Sequence, residues 1–140
     1  MCELQMTMII DVGSSTATTG SQTVSIPILA PGANLILAEF GLATAAAGSV
    51  LLNANIGFQT TLGVPSVVFT LYRDGQPIYN VGASGLAILA IQPIAISYLD
   101  RSATAGYHAY SLGVANNSLN ILLNAASVTG PVTYSGVSMG

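Results

Sequence analysis

Apolar and polar residues alternate along most of this chain, in short segments that end at turn-forming residues. In residues 50–58, the positions that would share one face are all apolar: Leu52, Ala54, Ile56 and Phe58. The positions between these side chains carry Asn or Gly. Because successive side chains of a β-strand point to opposite faces, this period of two predicts a strand with one face against a core.

The same pattern recurs at regular intervals. It predicts further strands at residues 23–29, 34–42, 67–72, 77–81, 94–99, 107–114, 119–123 and 128–137. Together with residues 50–58 these make about nine short strands, at the spacing typical of an all-β sandwich or barrel. The Ala-rich residues 43–47 could form one helical turn, but the flanking Gly41 and Gly48 favour a loop.

Turn signals lie between and within these strands. Asp74-Gly75 is a two-residue hairpin signal, which predicts that strands 67–72 and 77–81 are direct neighbours. Pro77 lacks a backbone N–H and suits the start of an edge strand. Gly130-Pro131 lies inside the last strand, which is therefore predicted to be broken there.

Residues 1–20 differ from the rest and are interpreted as an N-terminal arm and tether, ahead of a single β-domain at residues 21–140. Alternate positions of the arm carry four apolar side chains, which predicts a short strand with one apolar face: Met6, Met8, Ile10 and Val12. From Gly13 to Gly20 the chain is mainly Ser, Thr and Gly, a composition typical of a flexible tether. Eight extended residues reach about 26–29 Å, far enough for the strand to leave its own domain.

The arm has two possible destinations, and the sequence leaves both open. It can pack back on its own sandwich, or it can add to the sheet of a neighbouring copy by strand donation. Cys2, the one cysteine of the chain, lies on the same arm. A lone thiol at this place either bridges to another chain or stays free.

The charge content changes the expected surface. Of the 140 residues, 5% are charged and 51% are hydrophobic, and the net charge is −3. The chain is too apolar to be disordered, and it has too few cations to bind nucleic acid by neutralising phosphates. A neutral surface gives little repulsion between copies, so this composition favours self-association.

The inventory of reactive side chains predicts no enzyme activity, no cofactor and no metal site. His108, the single histidine, could meet a Ser and Asp100, but the chain has no Gly-x-Ser-x-Gly motif. Asp74 and Asp100 could act as paired carboxylates, yet each lies beside an Arg at a strand end, which favours a salt bridge or a turn cap. The other acidic candidates for a calcium site, Asp11 and Glu39, lie in no Asp-x-Asp-Gly loop.

Neither a secretion signal nor a membrane-spanning segment is predicted. The N-terminus has no positive region ahead of an apolar run. The longest charge-free apolar tract, residues 83–99, is interrupted by Gly85, Gln92 and Pro93, and it is shorter than the roughly 20 residues that span a bilayer. The chain is therefore expected to be made in the cytosol and to bind no membrane.

Two blocks of sequence resemble a known family. One is VFTLYRDGQPIY at residues 68–79; the other joins IAISYLD at 94–100 and AGYHAYSL at 105–112. Together they resemble the C1q/TNF-like jelly-roll domains of bacterial endospore surface proteins, which occur on exosporium filaments and in endospore appendage fibres; phage fibres carry similar domains. The resemblance implies an antiparallel jelly-roll β-sandwich, usually trimeric, with a structural role and no catalysis.

The expected function is a structural subunit that assembles with copies of itself. No Gly-X-Y repeat precedes the domain, so a short arm stands where the collagen-tailed members have a stalk. This suits trimers stacked by strand donation into an endospore appendage fibre on the extracellular spore surface, with an anchor protein as a further partner. The alternative is a binding module, such as a phage-fibre or lectin-like receptor-binding domain.

Overall fold

Strands make up all the regular structure that is described. A computed structural model of the chain describes residues 8–16, 26–27, 35–85, 89, 91–118 and 123–140. These residues form β1 (Ile9–Thr16), β2 (Ile26–Pro27), β3 (Leu35–Thr44), β4 (Ser49–Leu62), β5 (Ser66–Arg73), β6 (Gln76–Ser84), β7 (Ile91–Asp100), β8 (Gly106–Asn116) and β9 (Ala125–Met139).

The strands form two antiparallel sheets that face each other. The five-stranded sheet has the order β1-β9-β4-β7, with β2 also paired to β9, and the four-stranded sheet has the order β3-β8-β5-β6. Most successive strands lie in different sheets, whereas β5 and β6 form a hairpin. Asp74 and Gly75 form its turn with positive φ angles of 52° and 78°, as the sequence predicted. The antiparallel jelly roll is confirmed.

The core lies between the sheets and follows the predicted alternation. The four apolar side chains predicted to face inward from residues 50–58 are all buried, and so are the inward residues of β8, Tyr110, Leu112 and Val114. The ring of Phe40 lies 4.8 Å from that of Tyr134, centroid to centroid. At one side of the sandwich Tyr79 of β6 stacks on Tyr98 of β7, with centroids 4.6 Å apart, so aromatic contact closes the gap between the sheets.

The last strand is longer than the sequence predicted. β9 runs from Ala125 to Met139 without the predicted break at Gly130-Pro131. The irregularity is instead a shift of register, since Asn55 of β4 pairs with Thr133 and Gly57 pairs with Thr129. The shift is a bulge on β9, with more residues between Thr129 and Thr133 than between Gly57 and Asn55 on its partner, and it does not end the strand.

Three smaller predictions have mixed outcomes. Residues 43–47 form no helix: Ala43 and Thr44 end β3, and a turn follows them. The strand predicted at 119–123 lies outside the described residues except for Leu123, which is in a turn. In the predicted strand 23–29, the structure describes only β2, which pairs with β9.

The N-terminal strand extends further along the chain than the sequence predicted. β1 pairs with β9 of the same chain, from Ile9 opposite Met139 to Thr16 opposite Thr133. The interpretation of residues 13–16 as flexible tether is therefore wrong. A side chain at Gly13 would place its Cβ 2.5 Å from the Phe40 ring, so this glycine allows a close approach. Cys2, Met6 and Gly20 lie outside the described residues.

Candidate assembly surface

The strand β1 turns its apolar side chains outward. The β1 residues that share the inward side with β9 are Asp11, Gly13 and Ser15, all half-buried. Ile9 and Val12 point the other way and are 67% and 62% exposed. The strand therefore contributes polar or small side chains to its own sandwich, and its apolar surface lies in solvent.

The predicted apolar face of the arm lies on the exposed surface. Met8 is 63% exposed and Ile10 is 43% exposed. The register shifts between Ile9 and Asp11, so Ile10 is an extra residue on the β1 side of the ladder. Of the four side chains predicted to form the face, the three that are described are thus not part of the chain's own core.

Backbone hydrogen bonds and one carboxylate hold β1 in place. Met8 and Gly140 exchange two backbone bonds, of 3.1 and 2.9 Å, beyond the end of the strand ladder. Asp11 accepts a bond from the Ala43 N–H on Oδ2 at 2.9 Å, which joins β1 to β3 of the other sheet. This contact closes the side of the sandwich opposite the tyrosine stack.

The outward side of the five-stranded sheet forms a surface built of rows, which we call the outer face. Paired positions on β1, β9, β4 and β7 form each row. The three rows are Val12, Val137, Leu51 and Leu99; Ser14, Ser135, Asn53 and Ser97; and Thr16, Thr133, Asn55 and Ala95. None of these residues is charged, and the first row is entirely apolar. A second molecule could cover this face without removing a charge from water.

Most charged groups of the described residues lie instead at one end of the sandwich. Arg73, at the end of β5, places Nη1 2.7 and 2.6 Å from the two carboxylate oxygens of Asp100, at the end of β7. The Tyr110 hydroxyl and the Ser102 N–H also donate to this carboxylate, at 2.9 and 3.1 Å. The ion pair therefore fastens one sheet to the other.

The environment of Asp100 favours its charged form. Burial alone would raise the pKa of the carboxyl, but the hydrogen bonds from Arg73, Ser102 and Tyr110 outweigh it and lower the pKa. The pKa of Tyr110 is raised, first by burial and then by its bond to Asp100. Both shifts keep the carboxylate ionised and the phenol protonated.

His108 lies at the same end of the sandwich, between Asp74 and Thr104. Its Nδ1 lies 2.6 Å from Asp74 Oδ2, and its Nε2 lies 2.7 Å from the Thr104 carbonyl oxygen. The hydrogen bond to Asp74 is the main cause of a raised His108 pKa and of a lowered Asp74 pKa. Since oxygen acceptors occupy both ring nitrogens, neither is available to take a proton from a serine.

The structure thus assigns ordinary roles to the two acidic candidates. The prediction of a salt bridge or turn cap is confirmed, because Asp100 pairs with an arginine and Asp74 Oδ1 accepts the Ala109 N–H at 2.9 Å. The sequence did not reveal that Asp100 would bind Arg73 and not its neighbour Arg101. Only the meeting of two strand ends from different sheets brings that pair together.

Two further features are absent from the described part of the chain. No group of three or more His, Cys, Asp or Glu side chains there is close enough to hold a metal ion. Nor does that part contain a helix with the length and apolar character needed to cross a bilayer. Glu39 lies exposed on β3, away from the charged end.

Comparison with known proteins identifies the fold. No family model matches the chain, and no curated protein matches it. Among solved structures, Eiger TNF from S. frugiperda superposes with a TM-score of 0.57 at 11% identity, over 93% of this chain and 92% of that one. The chain has a TNF-like jelly-roll fold. A chain of infectious bursal disease virus, Gx strain, is also similar, with a TM-score of 0.51 at 15% identity. That match covers 91% of this TNF-like chain but only 32% of the viral one.

Proposed function

We propose that this protein is a structural subunit that assembles with copies of itself, through exchange of its N-terminal strand, into an extracellular fibre on the bacterial spore surface. The observation that carries the proposal is the orientation of β1. Its backbone completes the sheet, whereas Ile9 and Val12 remain in solvent. The same strand from another copy would make the same ladder with β9, so exchange costs no hydrogen bond.

The exposed apolar side chains supply a driving force for assembly. Met8, Ile9, Ile10 and Val12 are each at least 43% exposed. Since they are already partly covered, completing the burial of all four contributes about 3–6 kcal/mol, which is about half of the gain from full exposure. β1 is already ordered in its own sheet, so exchange of the strand adds little ordering cost, and several arms in one assembly would make association cooperative.

The outer face is the surface on which copies would lie side by side. It is continuous with β1, because Val12 begins the apolar row that extends through Val137 to Leu51. Its polar rows carry neutral Asn, Ser and Thr, which can form hydrogen bonds with a second copy. Trimeric packing, an anchor protein and location on the spore surface rest on the resemblance of the two sequence blocks, and they are part of the same proposal.

Electron microscopy of matched variants tests this function. The native chain should form filaments, and Val12→Glu should leave a folded protein that forms none, because a buried carboxylate would face the neighbouring copy. Val64→Glu is the control, since Val64 is 64% exposed in the β4–β5 connection and receives the same charge. Circular dichroism verifies that both variants are folded.

Two results would overturn the proposal. Filaments formed equally well by Val12→Glu would show that β1 takes no part in assembly. Discrete particles of the native chain would favour the receptor-binding module. Repeating the native experiment in reductant separates a role of Cys2 from apolar association, because only a disulfide would be lost.

A further inference from the structure

Both ring nitrogens of His108 face an oxygen acceptor, and this arrangement is independent of the proposed assembly. Nδ1 faces a carboxylate oxygen of Asp74, and Nε2 faces the main-chain oxygen of Thr104. A carbonyl oxygen and an ionised carboxylate can only accept hydrogen bonds. Both contacts are therefore hydrogen bonds only when both ring nitrogens carry a proton. A neutral imidazole carries a single N–H and keeps one of these two hydrogen bonds. At its other nitrogen, the nitrogen lone pair faces a lone pair of the oxygen.

We propose that His108 is the centre of a pH-sensitive clasp, which fastens the β5–β6 turn to the β7–β8 loop at residues 101–105 in acidic to neutral solution and loosens it in alkaline solution. All its groups lie within one copy, so the proposal does not rest on the proposed function. The histidine side chain is only 10% exposed, which keeps water from replacing the lost bond readily.

The two partners of the clasp are held unequally. Asp74 is fixed to β8 without the histidine, because its N–H donates to the Ala109 carbonyl at 2.7 Å and its Oδ1 accepts the Ala109 N–H. Thr104 belongs to the loop, and its carbonyl also accepts a bond of 2.6 Å from the Thr44 hydroxyl. Loss of the proton therefore leaves the turn in place and loosens the loop by removing one of the two side-chain hydrogen bonds to the Thr104 carbonyl.

The surrounding charges set the direction of the response. Asp74, from the β5–β6 turn, favours the charged imidazole most, and the Thr104 carbonyl adds to its effect. Burial opposes them, as does the positive charge of Arg73, at the end of β5. Arg73 is itself paired with Asp100. The net result is a pKa above the ordinary value of 6.5.

The sign of the pH dependence follows from this shift. A folded-state pKa above the unfolded one gives stability that is fully present below pH 6.5 and disappears as the pH rises through the folded value. Asp74 limits the clasp on the acid side, because its lowered pKa means that the pair is lost only well into acid. The raised pKa of His108 and the lowered pKa of Asp74 arise from the same ion pair, so its contribution to stability is counted once.

Deuterium exchange at the imidazole C2 carbon, read by mass spectrometry, measures the pKa of His108 in the full chain whatever its state of assembly. The single histidine makes the assignment unambiguous. The expected midpoint is above 6.5 in the native chain and lower in Asp74→Asn. Asparagine keeps the Oδ1 acceptor and tolerates the positive φ, so this variant changes the charge with little change of backbone. Glu39→Gln, which removes an exposed carboxylate, should leave the midpoint unchanged.

Limited trypsin digestion tests whether the loop responds. The rate of cleavage after Arg101, relative to the unfolded chain at the same pH, should rise about tenfold between pH 6 and pH 9.5, as expected for loss of one hydrogen bond to a charged group. His108→Gln should show the higher rate at both pH values. A native midpoint at or below 6.5, or an equal pH dependence in His108→Gln, would overturn the proposal.

Discussion

The two ends of the sandwich are closed by different chemistry. At one end, Arg73 and Asp100 form an ion pair with Nη1 and Oδ2 2.6 Å apart, and Asp74 accepts a hydrogen bond from His108 that becomes an ion pair when the imidazole is protonated. At the other end the described loops are joined by neutral groups. There the Asn116 side chain donates to the Asn124 carbonyl at 2.9 Å and accepts the Ser118 N–H at 3.0 Å.

Because of this difference, the two ends should respond differently to changes of pH and salt. The described residues of the neutral end carry exposed apolar side chains, such as Leu62, Val64 and Leu123, and no charged group. Protons and salt therefore act mainly on the charged end. A domain with 5% charged residues has its described ion pairs at one end, where Arg73 and Asp100 join the two sheets and Asp74 and His108 join neighbouring elements of one sheet. The ends can be tested separately.

The largest effect is expected from Asp100→Asn. The Asp100 side chain is 2% exposed, and loss of its charge leaves Arg73 without a counter-charge in a site that is only partly open to water. We expect a loss near the lower end of the roughly 3–5 kcal/mol typical of a broken buried pair. Urea unfolding at pH 7 measures this loss.

The acid dependence of that loss sharpens the comparison. Because the pKa of Asp100 is lowered, its stabilisation is present above pH 3.8 and disappears as the pH falls through the folded value. The difference between native chain and Asp100→Asn should therefore shrink in acid. Asn116→Ala, at the neutral end, serves as the control: it should cost about 1–3 kcal/mol at every pH. A constant penalty for Asp100→Asn would contradict the ion-pair explanation.

Each end has a turn that contains a glycine, and the two turns should differ in how well they tolerate replacement of that glycine by alanine. Gly63, at the neutral end, has φ +65°, and a Cβ there would overlap the Leu123 carbonyl oxygen. Gly75, in the charged hairpin, has φ +78°, and its Cβ would meet nothing within 4 Å. Both Ala variants carry a left-handed backbone cost of about 1–2 kcal/mol, and Gly63→Ala adds about 1–3 kcal/mol of overpacking. Thermal unfolding measures the loss of stability in both variants. Equal losses would mean that the neutral-end loop moves aside without a free-energy cost.

The smallest effect is expected from Arg101→Gln. Arg101 is exposed, although it adjoins the buried Asp100 in sequence. We expect a change within about 0.5 kcal/mol, as for most surface substitutions. Arg73→Gln in the same urea experiment should cost several times more, because it removes the partner that binds both oxygens of Asp100. A larger loss for Arg101→Gln would reverse the assignment of the pair.

Local pattern predicted the fold where one face of a strand meets the core. Leu52, Ala54 and Ile56 alternate with polar residues, and that alternation alone determines which side is buried. The Asp74-Gly75 hairpin was predictable for a similar reason, because its φ angles are a local requirement. Such features need no knowledge of the rest of the molecule.

Features that depend on distant neighbours could not be predicted. Residues 13–16 have the composition of a tether, and only the edge of β9 makes them a strand. The partner of His108 was unknown because Asp74 is 34 positions away and belongs to another strand end. The outer face required the register of four strands, since no single segment shows that Val12, Val137 and Leu51 form one row.

The two backbone bonds between Met8 and Gly140 make the described chain almost a closed ring. A short peptide linking these residues would complete the ring, and the chain could then be opened in the exposed hairpin at Gly75 with every strand pairing kept. In such a circular permutant β1 would follow β9 directly and would be connected at both ends. It could then no longer be exchanged with another copy. The strand exchange proposed above therefore depends on the connectivity of the chain as well as on its packing.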